Sequence, residues 1–276
     1  MASNILAIGA SRNIGYFASL RFLDAGSRVT FLLRSPASFD DDAEIQKYVK
    51  TGKAQLVKGD ALVAEDVSKA WAKATEEAPV DFILYTVGFT GTKKFSLTKG
   101  FTMNIIDIST RCLQNVLCTM PQHAGVPLPK IIVLSTTGAS RKARQKTPLM
   151  HRPLYGYLIQ QQMADKLGME RVIAHCAGWT WTDEEPLAEI MGEGWKQRKG
   201  LPAPGTLTEA VVLRASLLTD GECTAEGKSG SALPYHAVEG LDGGATISRK
   251  DVGHFIFEAV TKQWKKYANK QISVSY

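Results

Sequence analysis

The stretch Asn4-Ile-Leu-Ala-Ile-Gly-Ala-Ser-Arg-Asn-Ile-Gly15 decides the fold. Ile5 to Ile8 is a short apolar run that reads as a buried strand, and it stops at Gly9. From Ile14 the apolar positions take a helical rhythm, with Ile14, Phe17, Leu20 and Phe22 to Leu23 on the inner side. A strand, a glycine-bearing turn and a helix together aim backbone N–H groups at a phosphate. Gly9 permits the tight turn, and Gly15 permits helix and pyrophosphate to approach the backbone closely. The six-residue step between the glycines differs from the commoner G-x-G-x-x-G spacing.

Working outward, Arg28 to Leu33 reads as a second strand that ends in Arg34-Ser35-Pro36. In open α/β sheets this position faces the adenosine ribose. An acidic residue there would bind the free 2′-hydroxyl of NAD. Arg34 instead offers a fork of donors to a 2′-phosphate, which favours NADP, and Arg12 supplies a second cation to the same phosphate. Asp40-Asp41-Asp42 suits a solvated helix start. Lys53 to Val57 is a third strand closing on Lys58-Gly59-Asp60, where Asp60 either hydrogen-bonds the adenine ring or caps a helix beginning near Val63. Val80 to Thr86 is a fourth strand, ending in Val87-Gly88, where small size leaves room for a cofactor. This alternation predicts an α/β fold with a doubly wound parallel sheet.

The spacing of Phe101, Ile105, Ile108, Cys112 and Val116 predicts a long helix over 98–120. Asn104 lies beside that stripe, and its amide needs a partner from backbone, water or an active-site relay. Lys130 to Leu134 is a fifth strand, with Ser135 and Thr136 at the carboxyl edge where substrates bind. Tyr155 and Tyr157 follow in Leu154-Tyr-Gly-Tyr-Leu-Ile-Gln-Gln-Gln-Met-Ala-Asp-Lys166. Four residues after Tyr157 stands Gln161. Lys166 is roughly half a revolution further round the helix and over ~13 Å along it. Val172 to Ala177 reads as a sixth strand, so that Gly178-Trp-Thr-Trp-Thr182 would face the nicotinamide and substrate. Glycines and prolines between Gly192 and Gly205 mark a loop-rich insertion. Ala210 to Leu218 returns to the core, Ser248-Arg-Lys-Asp251 opens a helix as a capping-box variant, and Gln271 to Ser275 closes the chain as a strand.

At 276 residues and 44% hydrophobic, the chain suits one domain over 1–276, with residues from about 179–246 forming much of a small C-terminal substrate lobe. Its apolar runs are far shorter than a membrane span, and the polar start does not resemble a signal peptide, so a cytoplasmic location is expected. Cys112, Cys118, Cys176 and Cys223 lack C-x-x-C spacing, so neither a metal site nor a disulfide framework is expected. The net charge of +6 is concentrated in Arg141–Lys146 and Lys196–Lys199, stretches that read as solvated loops or as attractors of an anionic cofactor or substrate. No nucleic-acid-binding module is visible.

The turn Gly9-Ala-Ser-Arg-Asn-Ile-Gly15 is similar to the G-x-x-x-G-x-G turn of short-chain dehydrogenases/reductases, with Asn13 at the middle glycine. Asparagine visits left-handed backbone angles more readily than most residues, so the turn tolerates it. Together with Leu33-Arg34, Leu213–Gly221, Ile247–Val252 and Ile272–Tyr276, it makes the chain resemble an NmrA-like, atypical member of that superfamily, fungal in style. The resemblance implies a Rossmann fold binding NADP(H) through Gly9, Ser11, Arg12, Asn13, Ile14, Gly15, Arg34, Ser35, Asp60, Val87, Gly88, Gln161 and Gly178. It places Asn104, Ser135 or Thr136, and Tyr157 at the catalytic positions, with Gln161 where the superfamily has lysine. A tyrosine without that lysine stays protonated at neutral pH, so it donates a proton readily and serves poorly as a base. The expected function is therefore NADPH-dependent reduction of a small carbonyl, enone or imine, by a homodimer or monomer whose partner is that small molecule. Two alternatives remain on the same fold: a non-catalytic NADP(H) sensor that signals to a protein partner, and a redox-neutral isomerase or cyclase.

Overall fold

The computed structural model describes residues 2–88, 94–96, 100–122, 126–140, 159–228, 230–241 and 244–276. Strand β1 (Asn4–Ile8) is wholly buried and alternates sides, sending Ile5 and Ala7 into one apolar layer and Leu6 and Ile8 into the other. Helix α1 (Asn13–Asp24) returns the chain to β2 (Arg28–Leu33). A 3-10 turn (Pro36–Phe39) and α2 (Ala43–Lys50) lead to β3 (Ala54–Lys58). Asp42 caps α2, accepting from the N–H groups of Glu44 and Ile45 at 3.1 Å, as the run of aspartates predicts. Next come α3 (Ala64–Ala74) and β4 (Phe82–Tyr85).

The regular alternation breaks after β4. A short antiparallel pair forms instead, β5 (Lys94–Ser96) and β6 (Gly100–Thr102), and β6 occupies the start of the expected long helix. Helix α4 begins only at Ile108 and ends at Cys118. Its start is fixed from outside: the Asp165 carboxylate accepts from the N–H groups of Ser109 and Thr110, both at 2.8 Å. Strand β7 (Lys130–Thr136) follows. Helix α5 (Gln160–Ala177) then covers the residues expected to form a sixth strand. Val172-Ile173-Ala174 looks strand-like because this helix is buried on nearly every side, which erases the amphipathic rhythm.

After the short helix α6 (Ala188–Met191), the sixth parallel strand is β8 (Ala210–Ala215), the apolar stretch that returns to the core. The remainder is β9 (Leu217–Thr219), β10 (His236–Glu239), β11 (Thr246–Ser248), α7 (Arg249–Thr261), α8 (Trp264–Tyr267) and β12 (Lys270–Ser275). The main sheet has the order β10-β12-β8-β7-β4-β1-β2-β3, parallel except for β10. One face packs against α1, α2, α7 and α8, the other against α3, α4 and α5. The strand order reverses beside β1, whose Ile8 pairs with Leu32 of β2 and Tyr85 of β4. In open α/β sheets, ligands bind at this point.

Candidate functional site

A cavity of about 330 Å³ opens at the carboxyl ends of β1 and β4. Its wall contains Gly9, Ser11, Arg12, Asn13, Ile14 and Gly15 from the first turn, Arg34 after β2, Asp60 after β3, and Val87 and Gly88 after β4. Ten of the expected cofactor positions are thus brought together.

The backbone explains why the turn carries these residues. Gly9 has φ +80°, and a Cβ there would lie 2.6 Å from the Val87 nitrogen. Asn13 takes the left-handed conformation at φ +57°, as expected of an asparagine in this place. Gly15 serves helix packing: its Cβ would lie 2.3 Å from Thr86 Oγ1 and 2.7 Å from Ala10 Cα. The Thr86 hydroxyl in turn donates to the Gly9 carbonyl at 3.0 Å, fastening β4 to the turn. The α1 N-cap, Arg12, offers no side-chain acceptor to the helix, which leaves first-turn N–H groups for a ligand. Exposed Arg12 and Arg34 add positive charge along the same wall. A close-approach glycine, uncapped donors and two cations fit the phosphates of a dinucleotide.

Asp60 stands at the cavity but does not cap α3, whose N-cap is Val63 with no side-chain hydrogen bond. The Asp60 Oδ1 accepts from the Leu62 N–H at 3.0 Å in the turn before α3. The wall also includes Ile108, Cys112, Leu134, Leu218 and Arg249, which sequence reasoning did not assign here. Arg249 and Leu218 come from the C-terminal third, and no local pattern announces that they reach the first turn.

Lys166 is the other group that spacing concealed. From α5 its Nζ donates to the carbonyls of Val87 and Leu134, both at 2.7 Å, and both residues line the cavity. Burial pushes the ammonium down to about 8, against the opposing pull of Asp165 and Glu170. Counting from Tyr157 sets this lysine half a turn out of reach. Counting from the fold puts its charge under the carboxyl ends of β4 and β7. Its neighbour Asp165 is also buried, and burial raises its carboxyl despite the N–H groups of Ser109 and Thr110.

The remaining expected residues lie elsewhere. Gln161 accepts from the Met103 N–H at 2.8 Å through Oε1, tying α5 to the segment before α4. Ser35 precedes the 3-10 turn, and its carbonyl accepts from Ser38. Gly178 caps α5 at φ +71°, where a Cβ would lie 2.9 Å from Gly205 Cα. Gly178 is twelve residues beyond Lys166 along α5, about 18 Å, so it and the tryptophan loop sit far from Lys166, toward the start of β8. Trp181 there donates to the Glu184 carbonyl and stacks under Arg171. Asn104 is exposed in the bend before α4, not on a helix. Ser135 is buried and donates to Glu170 Oε1, which also pairs with Arg214. Thr136 is half-buried at the end of β7, its Oγ1 accepting from the Gly138 N–H at 3.5 Å. Tyr155 and Tyr157 lie outside the described residues.

No family model matches the chain. It is 26% identical over 263 residues to Reductase pytE of Aspergillus terreus, covering 92% of this chain and 90% of that one. Among solved structures it is similar to ChuY, an anaerobillin reductase from Escherichia coli O157:H7, at 17% identity and a TM-score of 0.59, covering 98% and 96% of the two chains. A short chain dehydrogenase from Burkholderia cenocepacia J2315 in complex with NADP gives 14% identity and a TM-score of 0.59 over 99% and 96%. Among the described residues no helix is long and apolar enough to cross a membrane. In fold the chain is a doubly wound, Rossmann-type α/β protein similar to these solved structures, and in sequence it is similar to a named reductase.

Proposed function

We propose that the protein is an NADPH-dependent reductase of a small carbonyl, enone or imine compound, of the NmrA-like type. The observation that carries this reading is the cavity at the β1–β4 switch point, with Arg34 at the end of β2 and Lys166 beneath the ends of β4 and β7. The likeness to a named reductase over nine-tenths of both chains points the same way.

When bound, the reduced nicotinamide supplies a hydride. The chain's own residues do the rest. The first turn of α1 receives the phosphates, while Arg12 and Arg34 bind a 2′-phosphate that a carboxylate at this position would repel. Lys166 stiffens the strand ends and places a positive charge there, the charge that Gln161 lacks. Tyr157 donates the proton to the forming alkoxide or amine, and Thr136 polarises the acceptor. The turnover test is loss of NADPH absorbance against a panel of small aldehydes, ketones, enones and imines. Turnover that falls with Tyr157→Phe supports the reading; turnover unchanged in that variant removes Tyr157 from it.

One observation favours the sensor as a second reading. The Ser135 hydroxyl, expected to face substrate, is committed to the buried Glu170–Arg214 pair. A large difference in affinity between NADP⁺ and NADPH, with no turnover across the panel, would establish that alternative.

A further inference from the structure

Arg249 reaches the cofactor cavity from the opposite end of the chain, as the opening residue of α7. It is engaged there with Asp220 at 2.6 Å. The two partners differ sharply in setting: the arginine side chain is 26% exposed and the aspartate 90%. An ion pair that open to solvent contributes little, because water solvates the carboxylate almost as well. A phosphate in the cleft would offer the same guanidinium a doubly bonded partner away from bulk water.

Helix packing identifies which phosphate. Helix α7 lies against α1: a Cβ on Gly253 would be 3.0 Å from Phe17 Cβ and 3.2 Å from the Ala18 nitrogen. The Lys250 ammonium stands 5.9 Å over the Phe17 ring. The second turn of α1 thus packs on the start of α7, and Arg249 shares the cavity wall with Ser11–Gly15, so a group held at the start of α1 lies within reach of Arg249. Arg34 follows β2, one strand away on the adenosine side.

The backbone beneath Arg249 is held firmly. Buried Asp251 accepts from Ser248 Oγ, Thr224 Oγ1, the Ala225 N–H and Tyr276 OH at 2.6–2.9 Å. Ser248 caps the helix by accepting from the Asp251 N–H at 3.0 Å. A change of partner by Arg249 thus needs only side-chain rotation.

We propose that Arg249 is a phosphate-capturing cation held in reserve by Asp220 and handed to the cofactor's pyrophosphate on binding. This rests on the dinucleotide reading of the cavity. The test is titration of the full-length protein with NADPH and with NADH at low salt, for wild type, Arg249→Gln, Asp220→Asn, the double variant, and Lys250→Gln as a charge control outside the cavity wall. Thermal melts check that each variant is folded. Arg249→Gln should weaken NADPH and NADH alike, by about tenfold. Asp220→Asn should tighten both by about two- to threefold, and only when Arg249 is present. An Arg249→Gln effect no larger than that of Lys250→Gln overturns the proposal while leaving the dinucleotide reading intact. So does a loss confined to NADPH, which would assign Arg249 to the 2′-phosphate. Failure of the folded wild type to bind either nucleotide overturns both.

Discussion

Replacing Lys166 with methionine tests the electrostatics beneath the cavity. The ammonium is bonded to two strand-end carbonyls, and burial lowers it from 10.5 to about 8. The unfolded chain therefore binds more protons than the native protein between those values, and stability rises with pH across that window. The full shift corresponds to about 3 kcal/mol, at 1.36 kcal/mol per unit. Over the accessible range from pH 7 to pH 9.5 the gain is about 2 kcal/mol, because both forms still titrate partly outside it. Methionine is similar in length, carries no charge and loses this dependence. Urea unfolding of both proteins at the two pH values isolates the effect, since every other titrating group is common to the pair. Wild type should gain about 2 kcal/mol on Lys166→Met between the two conditions. A constant difference would refute the reasoning, showing that the ammonium is solvated as freely in the native state as in the unfolded chain.

Three other outcomes follow from individual contacts. Gly9→Ala forces an alanine into φ +80° and its Cβ to 2.6 Å from the Val87 nitrogen; denaturant melts should show a loss of about 2–4 kcal/mol, with cofactor affinity falling too. Glu170→Ala strands the buried Arg214 guanidinium and should cost about 3–5 kcal/mol in the same assay, whereas Glu170→Met with Arg214→Met should recover most of it. Burial alone would raise the Asp251 carboxyl, but hydrogen bonds from Tyr276, Ala225, Thr224 and Cys223 hold it well below the usual range. Its stabilisation is present above the unfolded value of about 4 and is lost as the pH falls below it, so Asp251→Asn should flatten the acid limb of a stability-versus-pH curve.

The parts of the fold legible in the sequence are those where one local rule acts alone. The β1–turn–α1 unit, Asp42 and Ser248 as helix caps, and Ala210 and its neighbours as an apolar stretch returning to the core all follow from short-range chemistry. The left-handed Asn13 is legible for the same reason. Errors arise where burial on two sides removes the periodic signal, as in α5, or where a distant group sets an element's end, as Asp165 does for α4. The displaced strand count then carries Gly178 and Trp179 to the wrong edge of the sheet. Lys166 is hidden because its role is set by the carbonyls above it, not by its distance from a tyrosine. Arg249 and Leu218 are hidden because tertiary packing alone brings them to the first turn.

The central claim is that the first turn and Arg34 select a 2′-phosphorylated dinucleotide. Calorimetric titration of wild type and Arg34→Ser with NADPH and NADH tests it most directly. The account predicts that wild type binds NADPH at least tenfold more tightly, by about 1.4 kcal/mol, and that Arg34→Ser removes most of this preference while sparing NADH. Equal or tighter binding of NADH by the wild type would contradict it.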